Sequence, residues 1–173
     1  MSALTRYSGR RRSLLFAIGV LCVGVFTMTT TQAADAASYR YNVISKTSQK
    51  NYTGAVFASC KITSTGGTCT ITTGKTVTRT IGVTLGATRS EVSLGLNISS
   101  ADSVTTTVAC ASPALKAGQV WKARAMGTRY TYKVQKQEGI RPRIGGGVIW
   151  NTIGTSGTLS AFDPSRSAIS CGL

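Results

Sequence analysis

Apolar side chains recur at every second position along most of this chain, the period of a strand with one face buried. "SYRYNVIS" alternates at Tyr39, Tyr41 and Val43, and "GAVFASC" and "CTITTGK" flank a turn at Gly66 and Gly67. "TVTRTIGVTLG" alternates at Val77, Ile81, Val83 and Leu85, with Arg79 on the same face. "EVSLGLNIS" follows with Val92, Leu94, Leu96 and Ile98, then "SVTTTVAC" with Val104, Val108 and Cys110. These last three segments predict long antiparallel strands joined by "GATRS" and "SADS". After the turn "SPALKAGQ", the segments "VWKARAM" and "TRYTYKVQK" predict a hairpin folded at Gly127, and "VIWNTIG" and "GTLSAF" two short closing strands. No segment with a helical period stands out after residue 33, and threonine and β-branched residues favour a pleated surface. The expected fold is all-β, a single-domain antiparallel sandwich or elongated twisted sheet.

The first 33 residues read as a signal peptide. Arg6, Arg10, Arg11 and Arg12 precede "LLFAIGVLCVGVF", an apolar run of 13 residues, short of the roughly 20 that span a bilayer. Small residues place cleavage after Ala33 or as late as residue 36, and "RRSLL" fits the twin-arginine route as well as general export fits the remainder. Residues 34–52 form an extended arm or the first strand, and residues 53–173 the β domain. Secretion to the cell exterior is the expected localisation.

Losing residues 1–33 removes four arginines and no acid, leaving 16 basic and five acidic side chains, a net charge of +11. Outside a cell, such a surface attracts other secreted proteins, anionic cell-surface polymers or lipids; nucleic acid is not an expected partner. Four cysteines remain, Cys60, Cys69, Cys110 and Cys171, an even number that predicts disulfides in an exported protein. The glycine turn brings Cys60 to Cys69, and Cys110 with Cys171 would then staple the carboxyl terminus to the centre of the domain. That second pairing is the remaining one and stays open.

Catalytic chemistry is poorly supplied. There is no histidine, the five acids form no recognised motif, and no nucleophile elbow or phosphate loop occurs, so neither catalysis nor a cofactor or metal is expected. Contact chemistry is richer. Trp121, Arg129, Tyr130, Tyr132 and Lys133 on one segment, and Tyr39, Arg40, Tyr41, Lys46 and Lys50 on the arm, are the candidate partner-binding residues, since Trp, Tyr and Arg dominate contact hot spots. From Ser59 to Thr107, 21 of 49 residues are Ser or Thr, a composition shared by membrane-inserting hairpins of β-pore toxins, although Arg79 on the apolar face opposes that use.

Across residues 55–136, "SPALKAGQVWKARAMGTRYTYKVQK" after "LGLNISSADSVTTTVAC" resembles a group of small exported actinobacterial β-rich proteins. Some similar proteins are the adaptor subunit of umbrella toxin particles, antibacterial assemblies in which the adaptor links a large scaffold toxin to lectin-bearing, trypsin-like subunits. The resemblance implies a non-enzymatic linker with two protein-binding surfaces, its arm offered to a partner's cleft as an added strand. A membrane-active β-toxin and a secreted protease inhibitor are the alternatives.

Overall fold

The computed structural model describes residues 37–173, apart from 64, 65 and 143. The expected signal peptide, both cleavage positions and the first residues of the expected arm lie outside the described residues. The chain forms β1 (Ser38–Lys61), β2 (Thr70–Ile71), β3 (Thr76–Thr78), β4 (Thr80–Ile81), α1 (Arg89–Leu96), β5 (Ser103–Thr105), β6 (Cys110–Ala111), β7 (Val120–Ile140), β8 (Ile149–Thr155) and β9 (Leu159–Gly172). The class is all-β, with one short helix.

β7 is the spine. Its 21 residues would span roughly 70 Å at the usual rise per residue. β1 runs antiparallel along one side, from Ser38 opposite Gly139 to Lys61 opposite Val120. On the other side, β9 pairs with Lys122–Tyr132 and β8 with Gln135–Ile140, and β4 adds to β9. The result is an elongated sheet. The hairpin expected at Gly127 does not form: "VWKARAM" and "TRYTYKVQK" are one continuous strand. The glycine serves a close approach instead, because a Cβ there would lie 2.2 Å from the Asp163 carbonyl oxygen of β9.

Every surplus residue in these pairings falls on β1, β8 or β9, so the pleat of β7 runs unbroken. Ala123 and Ala125 are buried at one end, Tyr132 and Val134 at the other, and their opposite parity places them on opposite faces. The sheet is therefore covered on one face at one end and on the other face at the other. Over the even-numbered face, α1 lays Val92 and Leu96 with Ala87 against Tyr132, Val134 and Ala161. Over the odd-numbered face sit two small ribbons, β3–β5 and β2–β6, contributing buried Val77, Val104 and Ile71, with Cys69 and Leu115 buried beside them.

Strands of two residues cannot hold themselves together. The β2–β6 ribbon is sewn to the main sheet on both sides, by Cys60–Cys69 to β1 and by Cys110–Cys171 to β9. Both expected pairs form, but the glycines do not turn a hairpin of β1 with β2. Gly67 instead exchanges backbone hydrogen bonds with Leu115, and β2 pairs with β6.

The three long Ser/Thr-rich strands also require correction. "TVTRTIGVTLG" contains only β3 and β4, "SVTTTVAC" only β5 and the start of β6, and "EVSLGLNIS" carries α1. Thr88 caps the helix: its hydroxyl accepts from the Glu91 amide while the Glu91 carboxylate accepts from the Thr88 amide, and Asn97 closes the other end in a left-handed conformation. Val92 and Leu96, one turn apart, face the core, whereas Leu94 is 83% exposed. Gly95 lets the helix approach β1, since a Cβ there would sit 2.5 Å from the Val43 side chain.

The Tyr132 hydroxyl donates to the Gly82 carbonyl at 2.6 Å, and burial raises its ionisation above the ordinary value of 10.0. A phenol that resists ionisation only when folded stabilises the fold below pH 10 and loses that contribution as pH rises further. Urea midpoints should fall as pH rises from about 10 to about 11.5, less steeply in Tyr132→Phe. Identical slopes in the two proteins would contradict this role.

Candidate functional site

An antiparallel strand pairs alternate amides and carbonyls to each side. Among the described residues β1 has β7 as its only strand neighbour, so its outer row of backbone donors and acceptors is left open along 24 residues. Open edges are hazardous, and this one is broken up by bulges and lysines. The register shifts four times, after Ile44, Gln49, Thr53 and Val56, and Ser45 and Asn51 take left-handed conformations within two of these bulges. Lys46 reaches the Leu96 carbonyl at the end of α1 at 3.4 Å, and Lys50 is exposed beside the second bulge.

The longest stretch without a bulge is Ser38–Ile44, paired residue for residue with Gly139 back to Lys133. Here the edge is straight and its side chains are braced. On the even-numbered face the Lys136 ammonium lies 4.2 Å from the Tyr39 ring centre, and Tyr41 and Val43 pack on the core under α1. On the odd-numbered face the Arg40 guanidinium lies 4.4 Å from the Trp150 ring centre and donates to Gln137 at 2.6 Å. Gln137 also accepts from Asn42 and donates to Gln135 and Thr152. This amide network fixes the side chains around the edge before any partner arrives.

Further along, β1 borders a cavity of about 450 Å³ lined by Tyr52, Val56, Phe57, Val77 and Phe162 among others. The rings of Tyr52 and Phe162 meet edge to face, and Arg129 lies over Tyr52 at 5.1 Å. The cavity can receive an apolar side chain from a chain lying on the edge.

The residues picked out from the sequence do not form one site. Tyr39, Arg40, Lys46 and Lys50 lie exposed along β1, and Lys133 is half-buried opposite Ile44. Tyr41 and Tyr130 pack on the core, and Tyr132 is buried within it. Arg129 lies over the Tyr52 ring, while Trp121 sits at the far end of β7 opposite Cys60, its indole N–H without a partner among the described residues. Asn42, Gln135, Gln137 and Thr152 were missed; the polar alternation in "KVQKQ" was their only trace.

Among the described residues no cluster of His, Cys, Asp or Glu is placed to hold a metal ion. Comparison with protein families, with characterised proteins and with solved structures gives no match.

Proposed function

We propose that this protein is a secreted, non-enzymatic interaction subunit that accepts a partner's extended chain on the outer edge of β1. The observation that carries the reading is the open, bulge-free and pre-braced edge at Ser38–Ile44. Strand addition draws affinity from the backbone ladder and selectivity from the side chains beside it, here Tyr39 and Arg40 held by Lys136 and Trp150. The two disulfides suit an oxidising compartment.

The resemblance to umbrella toxin adaptors supplies the partners: a large scaffold toxin and trypsin-like, lectin-bearing subunits. The proposed docking differs from that of a free arm. From Ser38 onward the segment is a strand already committed to β7 on one side, so it receives a strand on its other side. The pore-forming alternative loses its motivating feature, because the Ser/Thr-rich region holds short ribbons and a helix.

A tagged mature protein should recover large secreted partners in stoichiometric amounts from the producing organism's culture fluid. Its behaviour there as a lone monomer would overturn the proposal.

A further inference from the structure

Of the nine large apolar side chains that stay exposed among the described residues, four, Ile140, Ile144, Ile149 and Ile153, belong to the β7–β8 hairpin and Tyr39 flanks it, while Val56, Val83, Leu94 and Leu173 are scattered elsewhere. Ile140 and Ile149 are cross-strand partners on the even-numbered face, 48% and 56% exposed. Ile144, in the glycine-rich connection, is 93% exposed. Gly145, Gly146 and Gly147 have no neighbour within 4 Å of an added Cβ, so nothing in the described fold covers this end. Such concentration is not the scatter of single apolar residues common on protein surfaces.

The surroundings of these isoleucines point to a particular occupant. Tyr39 and Trp150 stand on opposite faces at the hairpin base, each held against a cation, Lys136 and Arg40 respectively. Arg141 is exposed next to Ile140. Among the described residues of this hairpin, Lys136 and Arg141 stand against the single acid Glu138. An apolar tip, amphipathic rings behind it and cations at the same level match the layering of an anionic bilayer surface: hydrocarbon, interface and charged head groups. A protein cleft would need complementary walls for both faces of the hairpin. From Trp150 to Ile144 is six residues, enough reach for roughly 5–10 Å of insertion. No helix among the described residues is long and apolar enough to cross a membrane.

We infer that the β7–β8 hairpin is a membrane-docking tip that seats Ile140, Ile144 and Ile149 in the surface of an anionic lipid bilayer. This use is distinct from strand addition along β1, with Tyr39 and Arg40 bordering both surfaces.

The test is cosedimentation of mature protein with vesicles of phosphatidylcholine, alone or with about one third phosphatidylglycerol. Wild type should bind the anionic vesicles at least roughly tenfold more tightly than the neutral ones, since each cation near such a surface contributes about fivefold. Ile144→Asp, at a position with few neighbours to disturb, should weaken anionic-vesicle binding by about tenfold or more. Arg141→Gln should weaken it about fivefold, and Leu94→Asp, on the exposed side of α1, should leave it unchanged. Circular dichroism establishes that each variant is folded. No binding of wild type to anionic vesicles would overturn the inference, as would equal losses in Ile144→Asp and Leu94→Asp. A tip substitution that only dissolves a self-associated form would also overturn it, and would assign the tip to a second copy of the chain.

Discussion

Replacing Cys110 and Cys171 by serine should lower stability by roughly 4 kcal/mol, the largest loss expected from any single cross-link here. Their sequence separation is 61 against 9 for Cys60 and Cys69, and in the chain-entropy view the longer loop restrains the unfolded chain more. The same view assigns the shorter loop roughly 2.7 kcal/mol. The native side of the argument agrees. The β2–β6 ribbon has two residues per strand and buries little beyond Ile71, so without its disulfide to β9 it rests on Cys60–Cys69, the Gly67–Leu115 bridge and the Thr107–Arg166 hydrogen bonds among the described residues. Urea denaturation of the two double-serine variants checks both size and order. A smaller loss for the Cys110/Cys171 variant would contradict the account.

Asp163→Asn should cost about 3–5 kcal/mol, because it strands a guanidinium inside the protein. Arg79 is only 6% exposed; its Nε meets Asp163 at 2.7 Å and its Nη1 donates to the Ala101 carbonyl at 2.9 Å. Arg79→Met should cost less, since the carboxylate left behind is 29% exposed and water can reach it. The Arg79→Met/Asp163→Asn double variant should be more stable than Asp163→Asn alone. Thermal unfolding of the three proteins decides the order, and a costlier Arg79→Met would contradict it. The pair joins the β3–β4 corner to β9 at the place where β9 crosses Gly127. The apolar alternation of "TVTRTIGVTLG" thus carries an arginine that faces a carboxylate within the protein.

Much of the fold was legible in the sequence, and the misreadings have physical causes. Alternation correctly gave strand character to "SYRYNVIS", "TRYTYKVQK" and "VIWNTIG", because each has one face packed or braced. It failed at "EVSLGLNIS", whose apolar residues two apart suit a strand while the pair four apart, Val92 and Leu96, suits a helix. The deciding signal was local: Thr88 followed three residues later by Glu91, a capping box that only a helix start needs. Gly127 reads as a turn because glycine usually punctuates, yet here it makes room for a crossing backbone. Gly66 and Gly67 mislead similarly. Their neighbours Cys60 and Cys69 do meet, but through a ribbon that pairs elsewhere.

The candidate site was less legible. Tyr132 and Arg129 are three residues apart in one aromatic-basic segment, yet the pleat sends one into the core and the other over Tyr52. Nothing in "SYRYNVISKTSQKNY" tells which backbone side will find β7, or that Ser45 and Asn51 will interrupt the ladder. An open edge is a property of neighbours, and neighbours come from the whole fold.

The central claim is that the outer edge of β1 is open in the free protein and closed by a partner strand. Residue-resolved amide hydrogen exchange tests it directly, on the mature protein alone and in the complex recovered from culture fluid. Within Ser38–Ile44, amides facing β7 should be slow in both states. The alternate amides should exchange fast in the free protein and become protected in the complex. Uniform protection of this segment in the free protein, or a complex that leaves its outer amides fast, would contradict the account.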